Sequence, residues 1–292
     1  MKLPREEPEV PTIELPQGQV EYRAAGPADS AAPPVVFAHG LLVDGQLWTG
    51  VADRLAERGI RSYAPNLPLG SHKIPLGPTV DLTPRGVARL ILDFLAALDL
   101  TEVTLVGNDT GGALCQFVID TDSSRIGRLV LTNCDAFDKF PPPPFGLLVK
   151  AGRSRAMLKL MAATTRPTFL RHSAMGFGPL AHNLDPVVTR SWMTTLDHDK
   201  AIRADTARFM AGIDKRDLLD VSTRLNAFSK PVQLVWGDAD RFFKLEFAER
   251  LAETFPAAEL VTVPGARTFV PLDQPDIVAD AVAAANSGHA RR

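Results

Sequence analysis

The chain has 292 residues, 45% of them hydrophobic and 23% charged, with 32 basic against 34 acidic side chains and a formal net charge of −2. That composition allows a large buried core and gives no overall basic field to attract nucleic acid or an anionic membrane, so neither is expected as a partner. The opening Met1-Lys-Leu-Pro-Arg-Glu-Glu-Pro carries acids and prolines where a signal peptide has an apolar run, and no later stretch is long enough to span a bilayer, which points to a cytoplasmic protein. Cys115 and Cys134, without C-x-x-C spacing, read as two buried thiols and not as a disulfide or metal site.

In chain order, an irregular arm is expected over residues 1–10, followed by short strands at Thr12 to Leu15 and Gln19 to Ala24 around Pro16-Gln-Gly18. Residues 25–34 are a loop, and Pro34 to Ala38 is a short continuous apolar run, as in a strand covered on both faces. Leu47, Val51 and Leu55 mark one face of a helix from Leu47 to Arg58 that stops at Gly59. A strand from Arg61 to Ala64 leads into a Pro- and Gly-rich loop over residues 66–78, and Thr83 caps a helix to Leu98 with Pro84 in its first turn. A strand at Glu102 to Val106, a helix at Gly111 to Ile119 and a strand at Arg128 to Asn133 complete a strand–helix alternation typical of a parallel sheet.

The alternation breaks at Phe137. From there to Phe228 only helical stretches follow, entered through Phe140-Pro-Pro-Pro-Pro-Phe145, so residues 137–228 are expected to form an inserted helical cap between strands 6 and 7. Residues 1–136 and 229–292 would then make one core domain. Within it, Val232 to Trp236 resumes the sheet, Leu245 to Thr254 is a helix, Glu259 to Val263 the last strand and Pro275 to Ala285 the last helix, with a polar tail from Ser287.

The most informative stretch is Gly107-Asn-Asp-Thr-Gly111, at the end of an apolar strand and the start of a helix. It has the form of a nucleophile elbow, G-x-S-x-G, in which flanking glycines permit a strained turn that lifts the central side chain above the sheet. Here that side chain is the carboxylate of Asp109, which attacks saturated carbon and leaves an ester for water to cleave, or serves as a base. The plainer alternative is an Asp that caps the next helix.

The element order resembles the α/β-hydrolase fold over most of the chain, and the acidic elbow is similar to that of the haloalkane dehalogenase and epoxide hydrolase branch. By that resemblance His39-Gly40 opens the oxyanion loop, with the backbone N–H groups of Leu41 and Thr110 facing developing negative charge. Trp236-Gly-Asp-Ala-Asp240 resembles the strand end that carries the family's acid, which selects Asp240. Asp135, after the preceding strand, is the second candidate. The triad histidine is expected within Pro264-Gly-Ala-Arg-Thr-Phe269, where Thr268 stands in its place.

A threonine hydroxyl cannot take a proton from water as imidazole does, so the usual general base is missing. Of the six histidines, His39 lies in the oxyanion loop, His72 in the proline-rich loop and His289 in the tail. His172, His182 and His198 fall in the cap and could reach the elbow from above. The halide-holding pair of dehalogenases is replaced by Leu41 and Thr110, and both tyrosines, Tyr22 and Tyr63, lie outside the cap.

No metal cluster, phosphate loop or dinucleotide fingerprint is present, so no cofactor is expected. The sequence therefore implies a cofactor-free enzyme acting on a small or medium apolar organic substrate through Asp109. A non-hydrolytic reaction with Asp109 as base, and an inactive ligand-binding relative, stay open, as does the oligomeric state.

Overall fold

The computed structural model describes residues 10–287. Most of the expected arm, and the tail with His289, lie outside that range. The strands are β1 (Thr12–Leu15), β2 (Gly18–Ala25), β3 (Val35–Ala38), β4 (Ser62–Pro65), β5 (Val103–Asp109), β6 (Ile126–Cys134), β7 (Val232–Gly237) and β8 (Ala258–Val263). They form one sheet in the order β1-β2-β4-β3-β5-β6-β7-β8. The β1–β2 and β2–β4 pairs are antiparallel and all others parallel.

The apolar runs explain the layering. Every residue of β3 and β7 is buried, as is every residue of β5 before Asp109, because helices flank the sheet. Those helices are α1 (Thr49–Glu57), α2 (Pro84–Ala97) and α3 (Thr110–Thr121), then α10 (Leu245–Thr254) and α12 (Pro275–Asn286) near the C-terminus, with α4 to α9 between β6 and β7 and α11 just before α12. The Thr83 hydroxyl accepts from the Gly86 N–H, and Pro84 opens α2 as the sequence implies.

Three details differ from the sequence reading. The helix expected from Leu47 begins with a 3-10 turn, Gly45–Trp48, because Asp44 accepts from the Gln46 N–H and tightens the turn ahead of α1. Strand β5 continues to Asp109 itself, with an irregular register against β6 between Gly107 and Asp109. A four-residue helix, α11 (Val270–Asp273), is too short to leave a periodic signal.

Between β6 and β7 the described chain is helical: α4 (Phe145–Gly152), α5 (Arg155–Thr164), α6 (Thr168–Arg171), α7 (Pro186–His198), α8 (Lys200–Gly212) and α9 (Lys215–Ser222). Ser154, Asp185, Asp199 and Asp214 cap α5, α7, α8 and α9 through their side chains. Leu158, Trp192, Leu196, Phe209 and Met210 are buried within this segment. No described helix is long and apolar enough to cross a membrane.

Candidate active site

The parallel strands end on one edge of the sheet, where α/β proteins place their sites. Asp109 ends β5 with φ 53° and ψ −131°, a conformation costly for a side-chain-bearing residue by about 1–3 kcal/mol. Close packing of glycines holds it there. A Cβ on Gly111 would collide with the Ala38 carbonyl, and one on Gly107 would lie 2.7 Å from both Cys115 Sγ and Gly112 Cα.

Asp109 stands at the N-cap of α3, yet its side chain makes no capping bond. The carboxylate instead accepts from the Leu41 backbone N–H at 3.2 Å and interacts with the Thr110 N–H. Gly40 is required for this approach, since a Cβ there would overlap the Asp109 carboxylate. His39 fixes the loop: its Nδ1 donates to the Gly40 carbonyl at 2.9 Å and its Nε2 accepts from the Leu67 N–H at 2.9 Å. Burial pushes the His39 pKa down to about 4, so the ring is neutral and keeps one tautomer.

Burial is also the main cause of the raised Asp109 pKa, about 7, against which the Leu41 and Thr110 N–H groups act and to which the Asp240 charge adds. The register that pairs Asp109 with Cys134 brings Asp135 alongside, with its N–H donating to the Asp109 carbonyl at 3.4 Å. Asp135 is buried and its Oδ1 has no hydrogen-bond partner. Burial, then the Asp109 charge, hold its pKa well above the ordinary range, outweighing the Thr110 hydroxyl beside it. Of the two carboxyls, Asp109 has the Leu41 N–H to favour its charged form, whereas Asp135 lies in a site that favours its neutral form.

Both carboxyls face a cavity of about 120 Å³. Leu41, Leu42 and Thr110 line its sheet side, and Phe140, Phe145, Leu148, Met161, Met175 and Phe177 are among the apolar residues opposite. Among the described residues, no Lys, Arg or His lines it.

Asp240 and Thr268 do not line this cavity. Asp240 accepts from the Phe242 N–H at 2.8 Å, the Phe243 N–H at 3.2 Å and Asn133 Nδ2 at 2.9 Å. Its carboxylate is thus occupied with shaping its own loop. The Thr268 hydroxyl lies close enough to favour the charged form of Asp240, but no acceptor or donor meets it in good geometry. Two residues given no role in the sequence reading hold this region together. Asn108 Nδ2 donates to Thr132 Oγ1 and to the Thr268 carbonyl, and Asn133 bonds both Gly237 and Asp240. Their signal in the sequence is an amide inside or ending an apolar strand.

The other histidines are engaged elsewhere. His172 Nε2 meets Thr189 Oγ1 at 2.8 Å, His182 Nε2 meets the Gly265 carbonyl at 3.1 Å, and His198 is exposed beside Asp197. His72 is buried against Asp205, 3.3 Å away. Among the described residues no group of three His, Cys, Asp or Glu could hold a metal ion.

A parallel sheet that turns sharply into a helix at a buried acid, beneath an apolar cavity, defines the class as an α/β enzyme of the hydrolase type. Residues 33–275 match the alpha/beta hydrolase fold family, and the chain belongs to it. It is 27% identical to haloalkane dehalogenase 2 of Mycobacterium tuberculosis, over 91% of each chain. A cis-3-alkyl-4-alkyloxetan-2-one decarboxylase of Xanthomonas campestris is 25% identical, again over 91% of each. The solved structure of the epoxide hydrolase CorEH has a TM-score of 0.75 at 18% identity, covering 97% of this chain and 99% of its own, a likeness of fold.

Proposed function

We propose that this is a cofactor-free enzyme that opens a C–O bond in a small or medium apolar organic molecule, with Asp109 as nucleophile and Asp135 as its proton partner. In this reading residues 137–228 are the cap and Leu41 and Thr110 N–H the oxyanion site. The observation that carries the proposal is the pairing of two buried carboxyls, Asp109 pushed up to about 7 and Asp135 held well above the ordinary range, in a cavity whose described lining contains no Lys, Arg or His.

Asp109 attacks carbon as the C–O bond breaks, and Asp135 gives its proton to the departing oxygen. That leaves an alkyl ester on Asp109 and an ionised Asp135, whose high proton affinity makes it a capable base. Asp135 then takes a proton from water as the water adds to the ester carbonyl, and the N–H groups of Leu41 and Thr110 stabilise the resulting oxyanion. Collapse expels the alkoxide, which takes the proton of the regenerated Asp109 carboxyl. The exchange of acid and base roles is that of retaining glycosidases, and it needs no histidine at position 268.

A strained cyclic ether or lactone suits this chemistry better than an alkyl halide. Halide leaves without a proton, so Asp135 stays protonated and no base forms. The oxetan-2-one named for one relative is such a strained ring, which supports an oxygen leaving group. That name also favours a second reading, in which the opened ring loses carbon dioxide without adding water.

Turnover of an alkyl-substituted epoxide or oxetan-2-one in ¹⁸O-water tests the proposal. Hydrolysis through the ester places ¹⁸O in the peptide containing Asp109. Alkene and carbon dioxide formed with Asp109 left unlabelled identify the decarboxylating version, and diol with an unlabelled Asp109 overturns covalent catalysis.

A further inference from the structure

We infer that the outer face of α4 to α6 docks on an anionic phospholipid bilayer, setting the cavity mouth against the lipid surface. The near-neutral whole chain conceals a strong local asymmetry. Residues 139–184 contain seven Lys and Arg and no Asp or Glu. Of these, Lys150, Arg153, Arg155 and Lys159 are exposed, and no described carboxylate lies within ion-pair distance of any of them.

The same segment is apolar at positions where a water-facing surface would be polar. Leu147 and Phe169 are each 75% exposed and Met175 98%, with Met157, Leu160 and Leu170 exposed between them. Single exposed apolar residues are ordinary, but five on three successive helices and a sixth, Met175, in the turn after them mark an interaction surface. Apolar side chains interleaved with unpaired cations are the composition of helices that lie in a membrane interface, where the former enter the acyl boundary and the latter meet anionic headgroups.

Continuity with the cavity supports this occupant over others. Met175 belongs to both the exposed patch and the cavity lining, and Phe145, Leu148 and Met161 line the cavity from α4 and α5. The inference rests on exposure and charge, and it stands independently of the chemistry at Asp109.

Co-sedimentation of the full chain with vesicles tests it, using phosphatidylcholine alone and phosphatidylcholine with 30% phosphatidylglycerol. Binding is expected to the anionic vesicles and to be weak on neutral ones. Each cation near an anionic surface contributes about fivefold, so Arg155→Glu with Lys159→Glu is expected to weaken binding by more than about 25-fold. Leu147→Ser with Phe169→Ser is expected to weaken it about tenfold or more. None of these four side chains lines the cavity, so thermal unfolding and turnover of a water-dispersed substrate should be retained. Wild-type protein that ignores anionic vesicles, or binds both kinds equally, overturns the inference. So does a concentration-dependent dimer in sedimentation velocity that Leu147→Ser with Phe169→Ser abolishes, since the face then belongs to a second copy.

Discussion

Asp109→Asn should make the protein more stable, and only at neutral to alkaline pH. Asn keeps the shape and can accept from the Leu41 N–H, but it carries no charge. Raising the carboxyl from 3.8 to about 7 corresponds to about 4 kcal/mol against its ionised form. Because the folded value lies above the unfolded one, the folded state holds its proton longer. Wild-type stability is therefore lost as pH rises from about 4 to about 7, and the loss is complete above that. The Asn variant escapes it, so the stability difference should be near zero at pH 4 and reach about 4 kcal/mol at pH 8.5, or about 8 °C in Tm for a domain of this size. Removing the Asp109 charge also eases the rise at Asp135, which adds to the difference in the same direction. Urea unfolding at the two pH values measures the difference directly. An equal difference at both, or an Asn variant less stable at pH 8.5, would refute the claim that Asp109 is held in a desolvated site.

Four further outcomes are expected. The pH–rate profile should be bell-shaped, rising with an apparent pKa near 7 as Asp109 ionises and falling at higher pH as Asp135 loses its proton. Asp135→Asn should abolish the alkaline limb and lower kcat on an epoxide by about 10²-fold or more, with the ester detectable by intact mass. Gly40→Ala should cost about 10²-fold in kcat/KM, because the new methyl displaces the Asp109 carboxylate. Thr268→His should leave turnover unchanged or lower it, since position 268 is buried away from the cavity and the Asp240 oxygens are already taken; a restored rate in steady-state assays would return the missing imidazole to the mechanism.

The elbow, the succession of strands and helices along the chain and the helical stretch before β7 were legible because each leaves a local mark: glycines around Asp109, short apolar runs, and a loss of strand signal after Phe137. Asp135 was visible only as an alternative acid. Its proximity to Asp109 depends on the irregular β5–β6 register at Gly107 to Asp109, which no local pattern encodes. The same limit applies to Asp240: its strand-end motif is plain, but that its oxygens turn to Phe242, Phe243 and Asn133 is a matter of loop geometry.

The segment between β6 and β7 was harder to read because its helices are apolar on more than one side. Met161 and Leu148 face the cavity while Leu147, Met157 and Phe169 face out, and composition alone cannot sort them. Net charge was similarly uninformative, since acids elsewhere balance the cations of residues 139–184.

Intact-mass measurement of the wild-type protein after incubation with a terminal epoxide and with a 1-haloalkane of equal chain length tests whether Asp109 and Asp135 act as nucleophile and reversible proton partner. Diol and unmodified protein are expected from the epoxide, but one alkyl group retained on Asp109 from the haloalkane, since halide departure takes no proton from Asp135. Rapid turnover of both probes, or no modification and no product from either, would contradict those roles.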